Sequence, residues 1–246
     1  MIIDHDRIQG FMEPMIMHFN IHDNVKMEEF EILDSVRFDL VITEKAHYAI
    51  NFKIIGKRLD SADNTDLDFL DDDKSLYNVK EVGEKFDNVK FLKTNNSNYE
   101  LYKSNKDFTI ISYIFSRCPM PEMCPAVISK NQFLADTFNK ENIEFLIISF
   151  DYIFDTPETL LEQYGSIEDN YPNVTFLSST NHYNDLILLT KQSDVSFGGV
   201  EENNIGHTMR TIILNKNKQL LKAYEGYNWT PADLKKDLLN FIKMNK

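Results

Sequence analysis

One apolar run, Phe108-Thr109-Ile110-Ile111-Ser112-Tyr113-Ile114-Phe115, constrains this chain more than any other stretch. It is apolar at nearly every position rather than at alternate ones. As a strand it must therefore be covered on both faces, which is the situation of a central strand in an α/β sheet. It leads directly into Arg117-Cys118-Pro119-Met120-Pro121-Glu122-Met123-Cys124-Pro125, which holds both cysteines of the chain and two of its nine methionines. Pro125 suits the first turn of a helix, with Cys124 before it as the cap. Val127, Ile128, Phe133, Leu134 and Phe138 then follow at helical spacing. Four sulfur atoms stand where a strand gives way to a helix, a place suited to redox chemistry or to a soft metal ion.

The pattern continues in the same style. Ile143 to Phe150 is a second buried-strand run, and Thr156-Pro157-Glu158 opens a helix by the same proline rule. Asp185 to Thr190 reads as a further helix. Thr208 to Leu214 and Gln219 to Tyr224 form a hairpin across Asn215-Lys216-Asn217-Lys218. Thr230-Pro231-Ala232-Asp233 resembles a capping box, and Leu234, Leu238, Phe241 and Ile242 share one face of the helix it opens. Strand, helix, strand, helix, hairpin, helix is the thioredoxin order, so residues 80–246 are expected to form an α/β thioredoxin-like domain.

The first 56 residues read differently. Met15, Met17, Phe19 and Ile21 alternate with Ile16, His18 and Asn20, a period of two. Val36 to Val41 and Tyr48 to Ile55 supply two more strands. These predict a small, all-β unit of barrel type preceding the thioredoxin-like domain. Between the units, residues 57–79 carry Asp60, Asp63, Asp66, Asp68, Asp71, Asp72 and Asp73. No glycine or closing glutamate falls where a calcium loop needs it, and like charges repel, so this stretch reads as a solvated acidic linker.

Composition narrows the function classes. With 246 residues and 42% hydrophobic content the chain has enough apolar material for a real core. A net charge of −13 argues against nucleic acid as a partner, because phosphate binding needs a basic surface. Two cysteines in a chain of this length are not a disulfide scaffold; their closeness points to a dithiol, a labile disulfide or a metal pair. No apolar run approaches the roughly 20 residues that cross a bilayer. The start, Met1-Ile2-Ile3-Asp4-His5, has no basic and apolar leader, which taken literally means cytoplasm.

The sulfur loop from Phe115 to Pro125 resembles that of the SCO/SenC family of copper-handling, thioredoxin-like proteins. Ser149-Phe150-Asp151 followed by Asp155-Thr156-Pro157-Glu158-Thr159-Leu160 is similar to that family's second signature. Gly206-His207-Thr208-Met209-Arg210 matches the place of its metal-binding histidine. The resemblance covers roughly residue 80 to the C-terminus, and it implies that Cys118, Cys124 and His207 hold one copper ion. Thiolate and imidazole suit both oxidation states of copper, which agrees with that donor set. The departure is the spacer: five residues separate the cysteines here, against three in the commonest family form. The wider loop leaves Met120 and Met123 open either to ligation or to packing.

A second resemblance lies at the N-terminus. His5, followed by Met12 and by Met15-Ile16-Met17, is similar to the short copper-binding barrel of the CusF type, whose motif is a histidine and a methionine-x-methionine strand. That resemblance implies His5, Met15 and Met17 as a second set of copper ligands, with Met12 nearby. Met15 and Met17 point the same way on a strand, and thioethers favour Cu(I). The alternative for a methionine stripe at this spacing is plain core packing. His18 falls on the opposite face, while His22, His47 and His182 lack companion residues and are expected to be exposed. In CusF-type barrels a strand precedes the histidine, so either this barrel lacks an edge or the true start lies upstream, where an export signal or membrane anchor would sit.

Together these imply a two-site copper chaperone of the cell envelope or periplasm, whose client is a cuproenzyme such as the dinuclear copper centre of cytochrome c oxidase. A different class stays open: a thiol-disulfide oxidoreductase that uses Cys118 and Cys124 on client cysteines. Peroxidase chemistry is disfavoured, because peroxiredoxins activate one cysteine in a different motif.

Overall fold

The two apolar runs pair with each other. Phe108–Ile114 and Ile143–Ser149 are parallel neighbours, and every residue of both is buried. The computed structural model describes residues 1–5, 15–19, 21–22, 24–31, 34–42, 47–57, 79–200, 205–226 and 228–244. In chain order the strands are β1 (Ile2–His5), β2 (Met15–His18), β3 (Asp34–Ile42), β4 (His47–Lys57), β5 (Lys90–Lys93), β6 (Asn98–Glu100), β7 (Phe108–Ile114), β8 (Ile143–Ser149), β9 (Val174–Ser178), β10 (Phe197–Gly198), β11 (Gly206–His207), β12 (Arg210–Asn215) and β13 (Leu220–Glu225). The helices are α1 (Cys124–Thr137), α2 (Pro157–Asn170), α3 (Tyr183–Gln192) and α4 (Pro231–Met244).

Seven strands form one sheet in the order β13-β12-β7-β8-β9-β5-β6. The centre, β7-β8-β9, is parallel, as strands joined by helical crossovers must be. The flanking β12 and β5 run antiparallel to it. Helix α1 makes the first crossover and α2 the second, so the C-terminal ends of β7 and β8 both open into loops on the same edge of the sheet. Sites in sheets of this kind form at that edge. One continuous core, from Phe86 through Phe145 and Phe176 to Leu238, fills both sides of the sheet.

The helix starts follow from their sequences, with one adjustment. Thr156 caps α2, its hydroxyl accepting from the Thr159 N–H at 3.2 Å, and Pro157 follows at the first position. Thr230 and Asp233 make the expected reciprocal cap on α4. At α1, however, Cys124 is not the cap: it is the first helical residue, Met123 is the cap, and Pro125 comes second. His182 is also not exposed. It is half-buried against Phe91, with its ring nitrogen 3.4 Å from Asp185 at the start of α3. His22 is exposed and bonded to Asn24.

The N-terminal residues make two antiparallel ribbons, β1–β2 and β3–β4. Ile2–His5 forms a strand that its alternation alone does not announce, and β2 ends at His18 rather than at Ile21. Ile21 instead bridges to Ala49 in parallel, and the His22 N–H donates to the Ala49 carbonyl at 3.2 Å, joining the ribbons. Ile3, Phe19 and Ala49 are buried together, with Phe38, Leu40 and Phe52 packed against them. Asn51, at φ 55° in β4, absorbs an extra residue opposite Phe38, a bulge that asparagine tolerates. Met12, the acidic stretch from Asp60 to Asp73, and the side chains of Met15 to His18 and His47 lie outside the described residues. Among the described residues no helix is long and apolar enough to cross a membrane.

Phe145 is fully buried between β7 and β9. Replacing it with alanine is expected to destabilise the protein by about 3–5 kcal/mol. Urea denaturation followed by the fluorescence of Trp229, the single tryptophan and itself buried, measures this.

Candidate metal centre

Strand β7 ends at Ile114, and the chain then has to turn into α1 across the sulfur loop. Two carboxylates from the loop after β8 fix the first step of that turn. Asp155 accepts from the Ser116 N–H at 2.8 Å and also from the Ser116 and Ser149 hydroxyls. Asp151 accepts from Arg117, with Nε at 3.1 Å and a terminal nitrogen at 2.5 Å. The Arg117 guanidinium in turn lies 4.3 Å above the Phe154 ring. Both carboxylates are fully buried. Burial pushes the Asp155 carboxyl above its ordinary range, and the hydrogen bonds from Ser116 and Ser149 oppose that shift. Asp151 also turns its own loop, accepting from the Phe154 N–H at 3.0 Å.

The sulfur atoms follow immediately. The Cys118 N–H donates to the Phe115 carbonyl at 3.3 Å, and the Met123 N–H to the Met120 carbonyl at 3.0 Å. These two turns bring the cysteines back to each other despite the five-residue spacer. Cys118 is half-buried and Cys124 buried, both as free thiols. The Cys124 thiol donates to the Cys118 sulfur, which is the main reason that the Cys118 pKa falls to about 6; burial opposes the shift, and the backbone N–H groups of Cys124 and Met120 add to it. The same bond, together with burial, pushes Cys124 up. The pair therefore favours the thiolate on Cys118 and the thiol on Cys124.

His207 arrives from the other side of the sheet edge, on the short strand β11, which pairs antiparallel with β10 so that His207 lies opposite Phe197. Its ring sits edge-on to Phe115 at 5.5 Å and against Phe150 at 4.6 Å. Removal from water by these neighbours pushes its pKa down to about 4, with the Thr208 carbonyl pulling weakly the other way. Nδ1 lies 3.0 Å from that carbonyl, which can only accept, so Nδ1 carries the proton and the Nε2 lone pair is left for a ligand role. Phe115 thus links the parts: its ring faces His207 and its carbonyl holds Cys118. Among the described residues no three His, Cys, Asp or Glu side chains are gathered in a metal-holding cluster.

The donor chemistry fits copper, since a thiolate, a thiol that metal can deprotonate and a neutral imidazole are all soft or borderline donors. Of the loop methionines, Met123 packs against the main core. Met120 has its carbonyl 3.8 Å from the Cys118 sulfur. At the N-terminus the register of β1 and β2 sets His5 opposite Met15, and Ile3 opposite Met17. His5 is buried, its ring edge-on to Phe19 at 5.4 Å. The anchoring by Asp151 and Asp155 is what sequence reasoning missed. Both residues stood in a noticed motif, and the signal to read was that Ser116 and Arg117, just before Cys118, are the donors such carboxylates need.

A parallel-centred sheet whose first crossover helix begins on a cysteine pair defines a thioredoxin-like protein with its thiols at a helix N-terminus. The SCO1/SenC family matches residues 79–243, and the chain belongs to that family. Comparison with curated proteins gives no match. Solved structures share the fold at low identity. A SCO1/SenC family lipoprotein from Bacillus anthracis str. Ames is 16% identical, with 66% of this chain and 98% of that one covered and a TM-score of 0.57. Arabidopsis thaliana ScoI, solved with copper bound, is 16% identical over 65% of this chain and 99% of its own, with a TM-score of 0.55. BsSco, a Sco-family cytochrome c oxidase assembly protein with a disulfide switch, is 19% identical over 68% and 96%, with a TM-score of 0.53. Residues 1–78 lie outside the family match.

Alkylation by iodoacetamide should follow the thiolate. Modification of Cys118 is expected to rise through about pH 6 and level off by neutrality, whereas an ordinary cysteine is still rising near pH 8.5. A midpoint above pH 8 at Cys118, read by peptide mass mapping, would show that Cys124 does not stabilise its thiolate.

Asp155→Ala removes the acceptor for the part-buried Ser116 N–H and is expected to cost about 1–3 kcal/mol in urea denaturation. It should also speed alkylation of Cys124, because the loop before it loses its anchor.

Proposed function

We propose that the protein is a copper chaperone with two Cu(I) sites. The observation that carries the reading is the Cys118–Cys124 pair at the start of α1, with the His207 ring packed edge-on to Phe115, whose carbonyl holds Cys118. Cys118, Cys124 and His207 would hold the first ion. Binding displaces the Cys124 proton, and the neutral imidazole brings no proton to displace. Loading would bring the His207 Nε2 and the two sulfurs onto the same ion.

The second site is proposed at His5, Met12, Met15 and Met17, on an N-terminal unit of the CusF type spanning residues 1–56, joined by an acidic linker over 57–79. The register that sets His5 opposite Met15 supports it. Copper bound to A. thaliana ScoI, and the place of BsSco among cytochrome c oxidase assembly proteins, support copper as cargo and a cuproenzyme such as cytochrome c oxidase as client. An envelope location accords with the lipoprotein relative from B. anthracis.

A second reading, thiol-disulfide exchange on client cysteines, is favoured by the low pKa of Cys118, because the thiolate is the attacking species. The two are separable by one titration. Under anaerobic reduction the chain is expected to bind two Cu(I); a Cys118→Ser/Cys124→Ser variant should lose one, and a Met15→Ala/Met17→Ala variant the other. A cysteine variant that binds as much copper as wild type would remove the first site. Efficient reduction of insulin by a protein that takes up no copper would favour the exchange reading.

A further inference from the structure

At the edge of the sheet away from the sulfurs, the fold buries a charged group for which the copper reading has no use. Lys218 lies in the turn between β12 and β13 and is 3% exposed. Its backbone sits at φ 61°, a left-handed conformation that asparagine or glycine adopts with less strain, so the turn itself does not call for a lysine. The ammonium donates to the Thr109 hydroxyl at 3.2 Å, its one hydrogen bond among the described residues. Thr109 in turn donates to Glu144, which also accepts from the Tyr99 and Ser104 hydroxyls. The Glu144 carboxylate is thus occupied by three O–H groups, and a hydroxyl stands between it and Lys218. Burial pushes the Lys218 pKa down, and Glu144 partly restores it. An ammonium has three donors, so two are left for a ligand.

Lys218 borders a cavity of about 380 Å³, lined also by Lys85, Tyr102, Lys216, Asn217 and Gln219. The Lys85 Nζ sits 4.4 Å from the centre of the Tyr102 ring, whose hydroxyl is fixed on the Phe86 carbonyl at 2.8 Å. Gln219 is engaged by Asn215 and by the Gly83 carbonyl. Among the described residues none of the three lysines forms an ion pair. Glu84, next to Lys85, is turned onto the Glu81 N–H at 2.7 Å. Lys216 also borders a smaller cavity, of about 150 Å³, that holds Asp107 and Glu141, and it pairs with neither. The three ammonium groups of the larger cavity against the one carboxylate of Glu144 leave two positive charges, in a chain of net charge −13.

We propose that this cavity is a phosphate-binding site, in which a phosphate group is held by Lys85, Lys216 and the buried Lys218. The proposal stands apart from the copper reading, since no ligand of either copper site takes part. A phosphate monoester carries a charge of about −1.5 to −2 at neutral pH and three acceptor oxygens, which matches two positive charges and the unused N–H groups. The two exposed lysines alone would hold it loosely; Lys218 acts where water is excluded, and there a charge-assisted hydrogen bond is stronger. Thr109 and Glu144 are at the start of β7 and β8, while the cysteines lie beyond their ends. Seven residues of β7 at about 3.3 Å each put roughly 20 Å between the two sites, so a bound phosphate leaves Cys118 open. Soluble phosphate and the headgroup of phosphatidic acid present the same chemistry.

The test titrates inorganic phosphate into the full chain at constant ionic strength, with chloride making up the balance, and reads binding by isothermal titration calorimetry. Wild-type protein should bind one phosphate per chain. Lys218→Met should weaken that binding about 10-fold, the loss expected for one hydrogen bond to a charged group. Lys85→Gln and Lys216→Gln, both at exposed positions, should each weaken it several-fold while keeping the far-ultraviolet circular dichroism of wild type. These two variants decide the matter even where Lys218→Met does not fold. Heat that chloride alone reproduces, or binding that neither Lys85→Gln nor Lys216→Gln weakens, would overturn the site.

Sedimentation with phosphatidylcholine vesicles, prepared with and without phosphatidic acid, separates the two sources of phosphate. Co-sedimentation that needs phosphatidic acid and is lost in the lysine variants assigns the lipid headgroup. Phosphate binding without co-sedimentation assigns a soluble phosphate. A chain that takes up neither probe has no such site.

Discussion

Everything at the candidate centre depends on two buried carboxylates holding the two residues that precede Cys118. Asp155 takes the backbone and side chain of Ser116, and Asp151 takes the guanidinium of Arg117. A buried carboxylate is costly unless every lone pair is used, and here the demand is met by Ser149, Ser116, Arg117 and the backbone of their own loop. The Asp155 carbonyl is occupied as well, by the Ser178 hydroxyl from β9. The ends of β7, β8 and β9 are thereby tied into one unit before the chain reaches a cysteine. The sulfur loop can be five residues wide and still close, because its first turn is decided elsewhere.

The architecture of residues 79–244 was legible because its strongest signals are non-periodic apolar runs and proline-marked helix starts. Phe108–Ile114 and Ile143–Ser149 could only be central strands, and Pro157 and Pro231 could only sit in first turns. The short strands β5, β6 and β9 were not legible. They are three to five residues long, and their place in the sheet is fixed by pairing with strands far away in sequence. His182 was misjudged for a related reason: its environment is made by Phe91, across the fold.

At the site, sequence alone could nominate Cys118, Cys124 and His207 but could not order them in space. The cysteines are local to one loop, so their meeting is a matter of turn geometry. His207 reaches them only through Phe115 and Phe150, which were readable as core and gave no hint of a second duty. The approach of β2 to β11, within 8 Å from Cα to Cα, was even less accessible, since neither strand is long enough to advertise its neighbour.

The unequal burial of the two cysteines has a consequence for the order of events. Cys118 is half-exposed and has its thiol pKa lowered, while Cys124 is 1% exposed and has its raised. A reagent arriving from solution, whether metal complex, oxidant or another protein's thiol, meets Cys118 first and reaches Cys124 only through it. The same geometry runs in reverse on departure, with Cys118 the last point of attachment. Traffic at this centre therefore has a single doorway, and depth and thiolate character both put Cys118 first.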